Sequence, residues 1–168
     1  MPTSLRFSTV YGLSPRPRFD LTVNEFTREL VLGEELVVFG EQFWRPYCHV
    51  RDLARSALAV LDAPREAVAF DVFNVGSSDE NYRKQRIVEL ILEQVPGGRV
   101  RYVHKEEDPR DYRVSFEKIR RQLGFRITRT VPDGIREIKR VLELGFLPDP
   151  YAPKYANVPQ EHAAAAPS

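Results

Sequence analysis

The residues best suited to chemistry lie within 39–61, FGEQFWRPYCHVRDLARSALAVL, where an aromatic and basic strand runs into an amphipathic helix. Arg45, His49 and Arg51 stand there among apolar Phe43, Trp44 and Tyr47. That combination suits an anion held beside a ring, as in a nucleotide or a sugar phosphate, because guanidinium forks bind paired oxygens and aromatic faces stack. His49 and Asp52 are also the residue types of an acid–base pair. Their spacing across a strand–helix junction favours structural roles instead, with Asp52 as a helix cap and His49 as a buried hydrogen-bonding residue. Cys48 reads as a small core residue. Cys48, His49 and His104 lack a zinc spacing, so no metal site is expected.

The elements that must position these residues alternate between strand and helix. Residues 5–11, LRFSTVY, are β-prone and end at Gly12 before the proline-broken SPRPR loop. Asp20 predicts a cap for a helix to about residue 32, stopped by Gly33. A brief buried strand over 36–39 follows, then an extended piece over 47–50 and a helix over 53–61 ended by Pro64. Residues 70–75 predict a strand with a turn after Gly76. The broad apolar face of 83–95 predicts a well-packed helix closed by Pro96-Gly97-Gly98. A strand over 100–103, the charged loop KEEDPRDYR, a helix over 116–123 capped by Ser115, and a last helix from Pro132 to about residue 144 complete the order. From Asp149 onward Pro, Tyr, Ala and Asn dominate, which predicts an extended arm or a disordered tail.

Composition narrows the function classes. The 168 residues suffice for one domain of ordinary size, and 42% apolar residues can bury a core. A net charge of +1, from 25 Lys and Arg against 24 Asp and Glu, gives no global reason for nucleic-acid or membrane binding. The single cysteine rules out an intrachain disulfide and suits a reducing compartment. The first residues lack the apolar run of a signal peptide, so a soluble, cytoplasmic protein is expected.

Several strings, taken in order, carry a resemblance: LRFSTVYG, VVFG, WRPYCHVRDLA, FNVGS, DPRDYRVSFEKIRRQLGF and GIREI. Across residues 5–147 the chain resembles the carboxyl-terminal half of the extended short-chain dehydrogenase/reductases that act on nucleotide sugars, the NAD-dependent epimerases and 4,6-dehydratases. The resemblance implies an α/β fold: a truncated, Rossmann-like arrangement of the last parallel strands with the small substrate-binding domain, over 1–148, followed by the tail 149–168. Two family features are missing from the sequence. No Gly-rich turn links a first strand to a helix, where a dinucleotide pyrophosphate would sit. None of the tyrosines is followed four residues later by Lys, the pair that exchanges a proton while NAD takes hydride. The expectation is therefore a chain that starts beyond the catalytic helix, with no catalytic residue and no cofactor-binding residue assigned. NAD(P) belongs to the complete family enzyme and is not expected to be held by this chain alone.

By the same resemblance Arg45 reaches the nucleotide-sugar diphosphate and Arg110 closes on that diphosphate or its ribose. The alternative for each is a surface Arg paired with a carboxylate such as Glu41 or Asp108. Asn74 would touch the ligand or satisfy its own turn. Thr9 stands where many relatives carry an Asn beside the substrate phosphate, and Phe39 lies where relatives line the base pocket. Arg16 and Arg18 flank Pro17 in a loop that either covers the ligand or is simply solvated. The function implied is the nucleotide-sugar-binding portion of an epimerase or dehydratase. The alternatives are a non-catalytic binding or assembly module, or a truncated gene product. The partners implied are a nucleoside diphosphate sugar and, because an inner parallel strand over 5–11 needs neighbours on both sides, either an amino-terminal half on another chain or a second copy.

Overall fold

A computed structural model describes residues 2–107 and 111–157. The first β-prone segment forms two strands rather than one, β1 (Ser4–Phe7) and β2 (Thr9–Tyr11), divided at Ser8. Next come α1 (Thr22–Val31), β3 (Glu35–Phe39), β4 (Trp44–His49), α2 (Val50–Asp62), the single turn α3 (Arg65–Val68) and β5 (Val72–Val75). The order closes with β6 (Asn81–Arg83), α4 (Lys84–Leu92), β7 (Arg99–Val103), α5 (Glu117–Leu123) and α6 (Val131–Glu143). Short 3-10 turns occupy Ser78–Glu80 and Pro153–Tyr155.

The division at Ser8 marks a change of partner. β1 runs parallel to β5, with Ser4 opposite Val72 and Phe7 opposite Val75. β2 runs parallel to β4, with Thr9 opposite Tyr47 and Tyr11 opposite His49. Between them Ser8 donates twice to the Val75 carbonyl, from its backbone N–H at 3.4 Å and from its hydroxyl at 2.7 Å. A hydroxyl at this one position lets the chain leave one ladder and join the next without stranding a buried polar group. β6 adds to the far side of β4 antiparallel, pairing Trp44 with Arg83 and Arg45 with Tyr82. β3 and β7 form a separate parallel pair.

Side chains alternate across β4, so it faces two cores at once. Tyr47 joins Tyr11, Val23, Phe26, Leu36, Val38, Ile87 and Ile135 in a core beneath α1, α4 and α6. Cys48 joins Leu53, Phe73, Val75, Phe116 and Ile119 in a core beneath α2 and α5. The helices carry the stripes their sequences predict: Val23, Phe26 and Leu30 in α1, and Val131, Ile135, Ile138 and Leu142 in α6. Ile87, Val88, Leu90 and Ile91 fill the broad face of α4. Thr130 and Asp133 close the start of α6, the Asp133 carboxylate accepting from the Thr130 N–H and hydroxyl, both at 2.8 Å.

Three expected caps are differently employed. α1 begins at Thr22 after Leu21, because the Asp20 carboxylate is taken up by the Arg18 guanidinium at 2.6 Å and by the Asn157 N–H at 2.9 Å. α2 is capped by His49, whose Nδ1 accepts from the Arg51 N–H at 3.2 Å. Asp52 lies inside the first turn and is fully buried. It accepts from the Thr128 N–H and hydroxyl, both at 2.9 Å, and from the Arg129 N–H at 3.0 Å, fastening the segment before α6 to α2. At α5 the Phe116 N–H goes to the Ser78 hydroxyl at 3.2 Å, in place of a Ser115 cap.

The arm from Asp149 is docked over 149–157, while 158–168 lies outside the described residues. Tyr155 is buried against Phe19, Ile138 and Leu142, and the Phe19 N–H donates to the Tyr155 carbonyl at 2.8 Å. Arg28 sits beneath this arm with its Cζ 4.2 Å from the Tyr151 ring centroid and 5.3 Å from that of Phe19. An extended or disordered arm was the compositional expectation. The aromatic tyrosines at 151 and 155 supply the apolar area that docking requires.

Candidate functional site

β4 presents Arg45, Tyr47 and His49 on one face, and the register with β2 adds Thr9 beside Tyr47 and Tyr11 beside His49. Arg45 is the outermost of this row and only 8% exposed. Its Nη1 donates to the Trp44 carbonyl at 2.7 Å, and its Cζ lies 5.9 Å from the Tyr112 ring centroid. Tyr112 itself is half exposed. A guanidinium held this way keeps its planar fork oriented before any ligand arrives, which favours bidentate contact with paired oxygens.

The inner end of the row is closed to chemistry. His49 is buried, its ring edge-on to Tyr11 at 5.3 Å between centroids. Because Nδ1 accepts from the Arg51 N–H, the proton is assigned to Nε2, which donates to Glu137 Oε2 at 2.9 Å. The same carboxylate oxygen accepts from the Leu13 N–H at 3.1 Å. His49 therefore links strand end, loop and α6, with both ring nitrogens engaged. Burial pushes the Tyr11 phenol far above its ordinary range, with the Glu80 carboxylate adding to it. Burial likewise pushes the Tyr47 phenol up to about 12 and the Cys48 thiol up to about 12. These groups stay protonated at neutral pH and act as packing.

The other expected site residues are dispersed. Phe39 ends β3 with 49% of its surface exposed, the Lys105 ammonium 5.6 Å from its ring centroid, whereas Leu36 and Val38 turn into the core. Thr9 is half-buried on the row that carries Arg45. Asn74 sits on the other sheet, opposite Arg6, its amide donating to the Ser115 carbonyl at 3.4 Å. Arg110 lies outside the described residues. Arg16 reaches the arm, donating to the Lys154 carbonyl at 2.6 Å and to Asn157 Oδ1 at 2.9 Å, and Arg18 pairs with Asp20.

Sequence reasoning passed over Trp44, Asp111 and Glu137 as site-forming residues. A cleft of about 330 Å³ opens beside the Arg45 strand, lined by Trp44, Asn81, Tyr82, Arg83, Arg86 and Glu89. β6, which forms one wall, replaces the end of the expected turn at Asn81 and the expected helix start at Arg83.

The strand-to-helix junctions bear on cofactor binding. β4 passes into α2 through His49 and β6 into α4 through Arg83, with no glycine at either point. Gly12 follows β2, but its N–H is spent on Asn24 Oδ1 at 2.9 Å and a Cβ there would strike the His49 ring.

Residues 1–76, which include Arg45, match the model of the NAD dependent epimerase/dehydratase family. The first 76 residues carry that family's pattern. A dTDP-glucose 4,6-dehydratase from Actinoplanes sp. is 29% identical over 136 residues, covering 79% of this chain and 41% of the relative. Among solved structures, UDP-glucuronic acid 4-epimerase from Bacillus cereus, determined with UDP-glucuronic acid and NAD, superposes with a TM-score of 0.70 at 20% identity. That match covers 83% of this chain and 44% of the epimerase. A partial consensus L-threonine 3-dehydrogenase gives a TM-score of 0.69 at 19% identity, over 84% and 48% of the two chains. The family match over residues 1–76 and these superpositions agree on a Rossmann-like α/β fold. The chain spans less than half the length of each of these proteins. No helix among the described residues is long and apolar enough to cross a membrane.

Proposed function

We propose that this chain is the nucleotide-sugar-binding portion of an NAD-dependent epimerase or dehydratase, and that Arg45 holds the diphosphate of the ligand. The observation that carries the reading is the setting of Arg45: nearly buried, fixed on the Trp44 carbonyl and beside the Tyr112 ring, at the outer end of β4. A group ordered in advance loses little freedom on binding, so its contact with phosphate oxygens converts efficiently into affinity. The dTDP-glucose dehydratase and the UDP-glucuronic acid epimerase, by their own names, handle nucleoside diphosphate sugars, which supports that ligand class. The threonine dehydrogenase shares the fold without that substrate in its name, so the ligand must be tested directly.

In this reading Thr9 and Phe39 flank the ligand, Asn74 supports the turn beyond it, and Arg110 supplies a second cation. NAD and the proton-transferring Tyr–Lys pair come from an amino-terminal part supplied by another polypeptide or by sequence beyond this chain. That part adds a strand to β1, whose outer edge carries no partner among the described residues and whose Phe7 is 55% exposed. A second copy of this chain is the competing occupant of the edge, and light scattering across a concentration series separates the two.

Calorimetric titration of the folded protein with UDP-glucuronic acid and dTDP-glucose tests the ligand. Binding of one of them, weakened about tenfold or more by Arg45→Ala, is the expected result, since a charge-assisted bidentate contact is worth about 1.5–3 kcal/mol. A folded protein that binds neither would sink the proposal.

A further inference from the structure

Trp44 is the only tryptophan in the chain, and two guanidinium groups lie over its ring, Arg83 at 5.2 Å and Arg113 at 5.0 Å from the centroid. Its backbone is engaged as closely. The N–H donates to Asp111 Oδ1 at 2.7 Å, and the carbonyl accepts from the Tyr112 N–H at 3.5 Å and from Arg45 Nη1 at 2.7 Å. Asp111, Tyr112 and Arg113 belong to no helix or strand, so no ladder of their own holds them in place. Contacts with Trp44 bring all three onto the start of β4, and Tyr112 then sets its ring beside Arg45.

We propose that Trp44 is a positioning residue for ligand binding: it clamps 111–113 against β4 and thereby fixes the angle at which Arg45 meets a nucleoside diphosphate. The inference rests on the ligand reading above and adds to it a residue that touches no ligand. Trp44 and Arg45 are sequence neighbours, so their side chains leave β4 on opposite faces. The indole therefore acts on Arg45 through the loop, which it holds at Arg113. Arg83, opposite Trp44 in the ladder, stands on the same face and completes the cation–π group.

The test is calorimetric titration of the full chain with UDP-glucuronic acid, for wild type, Trp44→Ala, Trp44→Phe, Arg45→Ala and the Trp44→Ala/Arg45→Ala double variant. Trp44→Ala is expected to bind about tenfold more weakly, about 1.4 kcal/mol. Trp44→Phe should recover most of the loss, because an aromatic face remains under the guanidinium groups. In the Arg45→Ala background, removal of the ring should cost nothing further, since its effect passes through Arg45. Wild-type affinity in Trp44→Ala, or an equal loss in both backgrounds, overturns the proposal. Asp111→Ala, which keeps the indole, provides a readout that needs no ligand: release of the loop should shift Trp44 fluorescence to longer wavelength, and unchanged emission also overturns the clamp. A wild-type protein that binds no probe fails the ligand reading, while the emission of Asp111→Ala still decides whether the clamp exists.

Discussion

Glu137 accepts a hydrogen bond from His49 Nε2 at 2.9 Å across 88 positions of sequence, and the same oxygen holds the Leu13 N–H. One carboxylate on α6 thus ties the end of β4 to the loop after β2. Glu137→Ala leaves a buried imidazole N–H without its partner and should cost about 1–3 kcal/mol of stability. Glu137→Gln retains a carbonyl acceptor and should cost less. Urea denaturation of the two variants checks the order.

Asp52 holds two backbone N–H groups and the Thr128 hydroxyl from a fully buried position. Asp52→Ala strands all three donors, for an expected loss of about 3 kcal/mol or more. Burial favours the neutral acid, but the bonds from Thr128, Arg55 and Arg129 outweigh it and hold the carboxyl below its ordinary range. Chemical denaturation at neutral pH measures the loss.

The acid limb of stability contains a resolvable share from Asp20. The Arg18 guanidinium holds this carboxyl down to about 2, against the opposing effect of burial and with help from the Asn157 N–H. A lowered folded-state value means that the stabilisation is complete above about pH 4, the unfolded value, and is lost as pH falls through about 2. Asp20→Asn should be less stable by about 1–2 kcal/mol at neutral pH and should converge on wild type near pH 2. Thermal melts at pH 7, 4 and 2 check the convergence.

Gly134 sits in the first half of α6, where a Cβ would lie 2.5 Å from the Tyr11 ring. Alanine favours a helix over glycine by about 1 kcal/mol. Here the gain is reversed, because Tyr11 is 1% exposed and has no room to move. Gly134→Ala should destabilise by about 1–3 kcal/mol through overpacking, read as a lower melting temperature.

The arm makes a separate prediction. Tyr155→Ala removes a ring packed edge-on to Phe19 at 5.9 Å between centroids and uncovers Ile138. The expected cost is about 2–4 kcal/mol, with faster proteolysis of the segment after Leu147. Limited proteolysis of wild type and variant provides the comparison.

Much of the element order was legible because it follows from side-chain period: the stripe of α6 and the broad face of α4 stand in the sequence as they stand in the structure. The break at Ser8 was not, since LRFSTVY is β-prone throughout and only a change of pairing partner divides it. Asp20, Asp52 and Ser115 all have the residue type of a helix cap. Two of them bond to segments distant in sequence, and at the third Ser78 takes the N–H concerned, so local preference misassigned all three. The candidacy of Arg45 as an anion ligand rests on its aromatic and basic surroundings, which stand in the sequence. Trp44 and Asp111 were not recognised as its supports, because the loop that unites them has no period to read. Glu137 looked like any charged residue on a helix.

The division at Ser8 has a consequence for synthesis on the ribosome. The partner of β1 in β5 begins at Val72, 68 residues after Ser4 (72 − 4), so β1 is synthesised well before that neighbour. At about 5–20 residues per second, that strand waits roughly 3–14 s for the neighbour that satisfies it. β2, one residue further on, receives β4 sooner, since Tyr47 follows its partner Thr9 by 38 residues (47 − 9). The nascent chain can therefore anchor one half of a nearly continuous stretch while the other half still exposes its backbone.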